Sequence, residues 1–410
     1  MKFLPYIYLM YMFVSLYFLS LFIILFFRNR KRMFDAPKTN KKYTVSFVIP
    51  AYNEGKTIKE TIKSIFNIDY PYLKEVVVVN DCSTDNTKEQ VEGLLKEYPK
   101  LKLINNKKNL GNAARSQNVG LRCINSELVA VVDADSYPNK DSIKKMTGWF
   151  DDPLVGAVTC PSYARNKSKF MEKLQAIEYN VIAFTRKLLD YVDAIYVTPG
   201  TLAIYRKKAL DEIRGFDENN LTQDIEATWH LTYNGWQRRM SLNTKVGTTV
   251  MSTIKGWFKQ RRRWNVGGLQ CIWKYKSFFF KKGMLGFFII PFFVLQLFLG
   301  VLGLAIFFYL ITRNILKRYI FVKYTFGAGT SLLTLQDLYI TPSFLNYLGI
   351  ILFVFGAIFT FLVLYIMKHK ILGKQNLFNI FFYMLVYLTV YPFIMLASIW
   401  HAIRRKSVWR

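Results

Sequence analysis

Leu128-Val-Ala-Val-Val-Asp-Ala-Asp135 is an unbroken apolar run that ends on two aspartates. Such a run reads as a strand buried on both faces, and carboxylates at i and i+2 point to the same side of the chain as it ends. Similar runs flank it: Val45 to Ala51, Glu75 to Asn80, Leu101 to Asn105 and Val155 to Cys160. Helical patterns separate them, Lys56 to Asn67 with Ile58, Ile62, Ile65 and Phe66 on one face, and Thr84 to Tyr98 with Val91, Leu94 and Leu95. The alternation predicts a mostly parallel sheet covered by helices, an α/β domain from Tyr43 to about Thr253. In open sheets of this type ligands bind outside the carboxyl ends of the strands. Glu54 follows the first strand, Asp81 and Asp85 the second, and Asp133 and Asp135 the fourth, so distant stretches are expected to deliver carboxylates to one crevice.

Outward from this domain the composition changes. The 410 residues are 52% hydrophobic and 17% aromatic, too apolar and too unevenly so for one soluble domain. Phe3 to Phe27 carries no charge, and at ~1.5 Å per residue it can cross a ~30 Å hydrocarbon core. A cleaved signal peptide has a shorter apolar region and a small-residue cleavage site; here Arg28-Asn-Arg-Lys-Arg32 follows instead, which marks a retained anchor. Met284 to Thr312, Leu338 to Met367 and Gln375 to Trp400 are also uncharged and long enough to span. The expected organisation is a transmembrane helix over 1–29, a cytosolic α/β domain over 30–254, an amphipathic interfacial region over 255–283 and a helical transmembrane region of about three spans over 284–410. The basic cluster after the first span puts the polar domain in the cytoplasm of a multi-pass plasma-membrane protein, with the N-terminus outside. Four crossings leave Arg404, Arg405, Lys406 and Arg410 on the outer side, against the positive-inside tendency. Either the segment containing Pro291 is re-entrant, or the stretch Tyr324 to Thr341, with Asp337, is a further buried element.

The net charge of +29 suits anionic headgroups and an anionic nucleotide substrate. Its lysines are scattered and no recognition module is visible, so no nucleic-acid partner is expected. Cys82, Cys123, Cys160 and Cys271 have neither close metal-ligand spacing nor a disulfide framework, and three histidines make a zinc site a poor reading.

Asp133 and Asp135, arriving as a strand ends, suit Mg2+ or Mn2+, hard cations that keep waters and substrate phosphates in their shell. Such an ion neutralises charge on a departing diphosphate, and the acceptor hydroxyl then needs a base on the opposite face of the sugar. Asp224, in Asn220-Leu-Thr-Gln-Asp-Ile-Glu226, is the candidate. It is expected to open a helix through Ala227, Trp229 and Leu231, whose dipole favours the ionised form and so weakens the base unless burial offsets it. Gln260, Arg263 and Trp264 fall on a basic amphipathic stretch, Gly256 to Lys276, which is either a plain interfacial helix or a platform, with an indole for a sugar ring and arginine for diphosphate oxygens. Phe170, Leu174, Ile177, Val181, Phe184 and Leu188 repeat at helical spacing and read as core packing rather than as an acceptor surface.

Taken in order, Ile49-Pro-Ala-Tyr-Asn-Glu54, Asp81, Asp133-Ala-Asp135, Thr222-Gln-Asp224 and Gln260-Arg-Arg-Arg-Trp264 resemble the motifs of inverting, membrane-embedded family 2 glycosyltransferases, above all the processive synthases of β-linked polysaccharides such as poly-N-acetylglucosamine, chitin oligosaccharides and hyaluronan. The resemblance runs from Val45 to about Leu269. It implies a GT-A-like fold with Ala51, Tyr52, Glu54, Asp81 and Asp133 at the nucleotide, Asp135 on the metal and Asp224 as base. Gln260, Arg263 and Trp264 would serve acceptor and diphosphate, and Thr198-Pro-Gly200-Thr201 with Ala203-Ile-Tyr-Arg206 looks like the acceptor-side loop. The implied partners are a UDP-sugar donor, a growing glycan or lipid acceptor, membrane lipid and room for an accessory membrane protein. The expected activity is elongation of a β-linked polysaccharide from UDP-N-acetylglucosamine. Transfer of one sugar to a lipid or polyprenol is the alternative, and a non-catalytic scaffold is disfavoured by the intact acidic motifs. The chain departs from the family pattern at Gln223, usually Glu, at Cys82, commonly Gly, and at Asn112, where the synthases usually carry a phosphate-contacting lysine; either Arg115 substitutes for it, or the donor or processivity differs.

Overall fold

The computed structural model describes residues 4–328 and 344–404. Strands β1 (Val45–Ala51), β2 (Leu73–Asn80), β3 (Leu101–Asn105), β4 (Leu128–Val131), β6 (Val155–Thr159), β8 (Ala203–Arg206) and β9 (Gln237–Met240) form a seven-stranded sheet in the order β3-β2-β1-β4-β8-β6-β9. Strands β5 (Ser136–Pro138), β7 (Ser162–Ala164) and β10 (Val246–Thr248) form a second, three-stranded sheet in the order β5-β10-β7. In the large sheet β1 runs parallel to β2 and β4, β2 to β3, and β6 to β9, while β8 is antiparallel to β4 and β6.

The central strands are valine-rich because both faces are covered. Phe47 and Ile49 of β1 pack with Ile58, Ile62 and Ile65 of α2 (Ile58–Phe66). Val48, on the other face, packs with Ala114 and Leu121 of α4 (Ala113–Arg122). Helix α3 (Thr87–Glu92) is shorter than its periodicity predicts: Val91 is buried, but the chain goes into turns from Gly93. Ala203–Arg206, read as part of a loop, is a strand in the middle of the sheet, lying between β4 and β6. Short helices α5 (Ser142–Thr147) and α7 (Lys207–Glu212) complete the outer layer.

The sheet domain meets the apolar helices through α6 (Phe170–Asp190). The expected stripe on α6 is core, but the core is shared with long apolar helices. Phe184 and Leu188 pack with Leu25 and Phe26 of α1 (Leu4–Asn29) and with Phe359 and Val363 of α11 (Phe344–Ile366). Leu174 and Ile177 pack with Trp257, Leu364 and Tyr387. Helix α8 (Gln223–Tyr233) is followed by α9 (Ile254–Tyr275), the expected amphipathic stretch, which buries Trp257, Arg261, Val266 and Cys271 and leaves Trp273 exposed. Next come α10 (Ile290–Ala328), α12 (Lys374–Phe382) and α13 (Tyr391–Ile403).

Among the described residues four helical segments are long and apolar enough to cross a membrane: Pro5–Arg32, Leu285–Gly327, Gly349–Ile366 and Lys374–Ile403. Pro291 comes just after a π-helical turn, Leu285–Ile289, and the helix runs on through it without reversing. Residues 329–343, with Asp337 and the start of the third expected span, and the basic tail beyond Arg404 lie outside the described residues.

Candidate active site

The sheet order reverses at β1. The chain builds β2 and β3 on one side of it and then places β4 on the other, so the carboxyl ends of β1 and β4 open onto a switch-point crevice. A cavity of about 310 Å³ lies there. Its wall takes Ala51, Tyr52 and Glu54 from the end of β1, Asp81 from β2 and Asp133 and Asp135 from β4. It also takes Gly200 and Thr201 from the turn before β8, Asp224 from α8, and Gln260, Arg263 and Trp264 from α9. The candidate residues for nucleotide, metal, base and acceptor are therefore in one place.

Local geometry explains how they arrive. The Asp81 N–H donates to the Ala51 carbonyl at 2.8 Å, locking the ends of β1 and β2 together. Its carboxylate accepts from Asn106 Nδ2 and Leu110 N, both at 2.9 Å. The Asp133 N–H donates to the Gly200 carbonyl at 2.8 Å, which brings the turn before β8 over the aspartate pair. A Cβ at position 200 would lie 2.8 Å from Asp133 Oδ1, so only glycine allows this approach. Because β8 is antiparallel to β4, it enters the sheet at the crevice end.

Asp224 is held from the other side. The segment before α8 docks on α9: Leu221 N donates to Gln270 Oε1 at 2.9 Å and Asn220 Nδ2 to Cys271 Sγ at 3.3 Å. Thr222 lies against Gly267, where a Cβ would come within 1.8 Å of its hydroxyl oxygen. Arg263 Nη1 donates to the Leu221 carbonyl at 3.1 Å. Trp264 stacks under the Arg261 guanidinium, 3.9 Å from the ring centre. Arg261 is itself buried and forked onto Glu178 of α6 at 2.6 Å and 3.0 Å, and Tyr387 donates to the same carboxylate at 2.6 Å.

Five carboxylates and one arginine, Arg263, in the wall leave the cavity with excess negative charge. Burial, then the neighbouring Asp135 and Asp224, push the Asp133 carboxyl up to about 8, with Arg263 opposing. Burial also raises Asp135 and Asp224; in Asp224 the Arg263 charge and the N–H of Ile225 pull the other way without cancelling it. Burial raises Glu54 too, against the hydrogen bond from Thr57. Burial thus outweighs the Arg263 charge and the backbone hydrogen bonds at Asp224, which leaves it a stronger base than a solvent-exposed aspartate. No group of three or more His, Cys, Asp or Glu side chains among the described residues makes a protein-only metal cage. The arrangement fits a hard divalent cation that takes one or two carboxylates and completes its shell with water and substrate phosphates.

Two expectations do not hold. Asp85 is outside the cavity wall; it accepts from Gly55 N and Thr87 N, both at 3.0 Å, and so fixes the loop after β1. Arg115 is not in the wall either: it donates to the Leu110 carbonyl at 2.8 Å and pairs with Glu218 at 3.5 Å. Asn112 does line the cavity, while its side chain caps α4 and donates to the Glu218 carbonyl. Tyr179 of α6, Thr248 at the end of β10, Thr249 and Met251 also line it without a signal in the sequence. Tyr179 lies off the apolar stripe, and a polar pair at the end of a three-residue strand looks like any turn.

Residues 46–214 match the family model described as glycosyl transferase family 2. A poly-β-1,6-N-acetyl-D-glucosamine synthase of Staphylococcus epidermidis is 30% identical over 287 residues, 69% of this chain and 69% of the relative. The chain belongs to glycosyltransferase family 2. A synthase of the same name from Staphylococcus aureus strain COL is 30% identical over 226 residues, 55% of this chain and 54% of the relative. Among solved structures, the mannosyltransferase PcManGT from Pyrobaculum calidifontis, in complex with GDP-Man and Mn2+, superposes with a TM-score of 0.60 at 17% identity. That likeness covers 97% of this family 2 glycosyltransferase and 99% of the other chain, so it extends the shared fold through the apolar helices.

Proposed function

We propose that this enzyme is a membrane-embedded inverting glycosyltransferase that uses a UDP-sugar, UDP-N-acetylglucosamine, to elongate a β-linked polysaccharide and pass it across the membrane beside its own helices. The observation that carries the reading is one cavity walled by the β1 and β4 carboxylates, by Asp224, and by Gln260, Arg263 and Trp264 of a helix docked on α13. The synthase names of the staphylococcal relatives suggest the polymer and its sugar.

In this reading Ala51, Tyr52, Glu54, Asp81 and Asp133 hold the nucleotide. Asp135, with Asp133 beside it, would hold Mg2+ or Mn2+, which when bound would supply Lewis-acid charge neutralisation to the diphosphate. Asp224 takes the proton of the acceptor hydroxyl as that oxygen bonds to the anomeric carbon. The bond from that carbon to the diphosphate breaks on the opposite face, and UDP leaves with the electron pair. Burial raises the proton affinity of Asp224, which suits this step. Trp264 offers its ring face to the acceptor sugar, and Gly200 and Thr201 border the acceptor side. The basic residues Arg28 to Arg32 after the first span put the 30–254 domain on the cytoplasmic side, with 1–29 and 284–410 in the bilayer and 255–283 at its surface.

One feature favours single transfer to a lipid or polyprenol instead: Asn112 stands where a phosphate-contacting lysine is usual, and Arg115 is turned away onto Glu218. Product size separates the two. Purified enzyme given Mn2+ or Mg2+ and radiolabelled UDP-N-acetylglucosamine should yield label in water-soluble chains longer than a disaccharide. Label confined to a solvent-extractable monoglycosyl lipid would reject polymerisation.

A further inference from the structure

A second cavity, of about 630 Å³, opens where α6, the segment before β10 and the turn between α11 and α12 meet. It shares no wall residue with the catalytic cavity. Lys167, Lys173, Lys245, Lys368 and Lys370 line it, and no aspartate or glutamate does. None of these lysines forms an ion pair with a carboxylate among the described residues, although the chain pairs many of its other cations. Gathered lysines without counter-ions repel one another, and an anion between them relieves the repulsion.

Two further features narrow the ligand. The wall includes Asn180, which is 3% exposed. Its Nδ2 lies 2.7 Å from the Ala176 carbonyl and 3.0 Å from His369 Nδ1, while its Oδ1 has no partner. An unpaired buried acceptor is costly, and a ligand hydroxyl would satisfy it. The cavity also sits at a fixed depth: one apolar span ends at Ile366 and the next begins at Lys374, so Lys368, His369 and Lys370 occupy the turn at the edge of the hydrocarbon. That is the level of lipid phosphates, and Ile177, Ile366 and Met367 in the same wall give it an apolar side.

We propose that this cavity binds the phosphate-bearing, hydroxylated headgroup of an anionic membrane lipid, with the lysines on the phosphate and Asn180 Oδ1 accepting from a headgroup hydroxyl. The site abuts the catalytic one through a single turn of α6, since Tyr179 lines one cavity and Asn180 the other. It stands independently of which sugar the enzyme transfers.

Native mass spectrometry of the full chain in a non-ionic detergent, titrated with phosphatidylglycerol or with phosphatidylcholine, tests the assignment. The first phosphatidylglycerol should bind the wild type about tenfold or more tightly than phosphatidylcholine. A Lys173→Gln, Lys368→Gln, Lys370→Gln variant should lose that preference, and the corresponding triple Lys→Arg variant, which keeps the charge, should retain it. Thermal unfolding of both variants checks that the fold survives. Equal affinity for the two lipids in the wild type, or an unchanged preference in the glutamine variant, would overturn the proposal. Inorganic phosphate is the remaining arm: if millimolar phosphate displaces the lipid and raises the melting temperature as much as phosphatidylglycerol does, the natural ligand is a soluble phosphate and the lipid assignment falls.

Discussion

Asp133 is where the physics of the catalytic cavity is most exposed. Its carboxyl is raised from an ordinary value of 3.8 to about 8, so the folded chain holds this proton more tightly than the unfolded chain does. An acid with a raised folded value favours folding while protonated, and that contribution falls away as pH rises from the unfolded value through the folded one. The cluster should therefore weaken the fold progressively between about pH 4 and about pH 8. In the proposed mechanism a divalent cation would compete with the proton and restore what is lost. The rise in melting temperature produced by Mn2+ should be clearly larger at about pH 8.5 than at about pH 6, and Asp135→Asn should remove most of it. Equal shifts at both pH values would mean that these carboxylates do not share the ion. The same residues show what could be read in advance. Asp133, Asp135 and Asp224 were legible because each follows a strand or opens a helix whose period is clear. Asp85 was misplaced because a carboxylate after a strand can turn back to cap its own loop, and only the hydrogen bonds to Gly55 and Thr87 reveal that choice.

At the level of elements, α9 joins catalysis to the bundle. Its glycine at 267 lets the segment carrying Thr222 settle on the helix, and Gln270 and Cys271 fix that segment by hydrogen bonds. Gly267→Leu should push the start of α8 outward and move Asp224 from its place. The expected result is a fall in kcat of about tenfold or more, from misplacement of a catalytic group, with helix content by circular dichroism unchanged. Normal turnover would show that α8 is positioned without α9. Six residues before Gly267, Arg261 pairs with Glu178 of α6; 1% and 3% exposed at the side chain, they form the buried pair that ties α9 to α6. Arg261→Met leaves Glu178 buried without its cation and should cost about 3 kcal/mol, whereas the double variant with Glu178→Leu should recover much of that loss. Thermal inactivation midpoints in detergent would measure both; equal losses in the single and double variants would contradict the pairing. The helix itself was legible from its amphipathic pattern, but its partners were not. Glu178 looks like a solvent-facing acid until α9 and α13 are packed against it. Strand β8 was hidden for a related reason: four residues, antiparallel, directly after a Pro-Gly turn, with no pattern of their own to separate strand from loop.

Across the whole molecule, the catalytic cavity exists only because three layers meet: the parallel sheet, α8, and a helix held by the apolar bundle. The broad plan was legible because burial writes different patterns in each layer, valine runs in the sheet and long uncharged stretches in the helices. The way α6 serves both cores was not, since one apolar stripe looks the same whichever surface covers it. Among the described residues four segments are long and apolar enough to cross a membrane, and α10, at 39 residues and ~1.5 Å per residue, is about twice as long as a hydrocarbon core requires. The central claim is that this assembly places one base, Asp224, opposite a cation-bound UDP-sugar. The most direct test compares full-length wild type with Asp224→Asn, measuring UDP-N-acetylglucosamine turnover and, separately, binding of UDP in the presence of Mn2+. Turnover should fall by about a thousandfold while the dissociation constant for UDP changes by no more than about twofold. Turnover within a factor of about three of wild type would remove Asp224 from the mechanism and, with it, the assignment of the cavity.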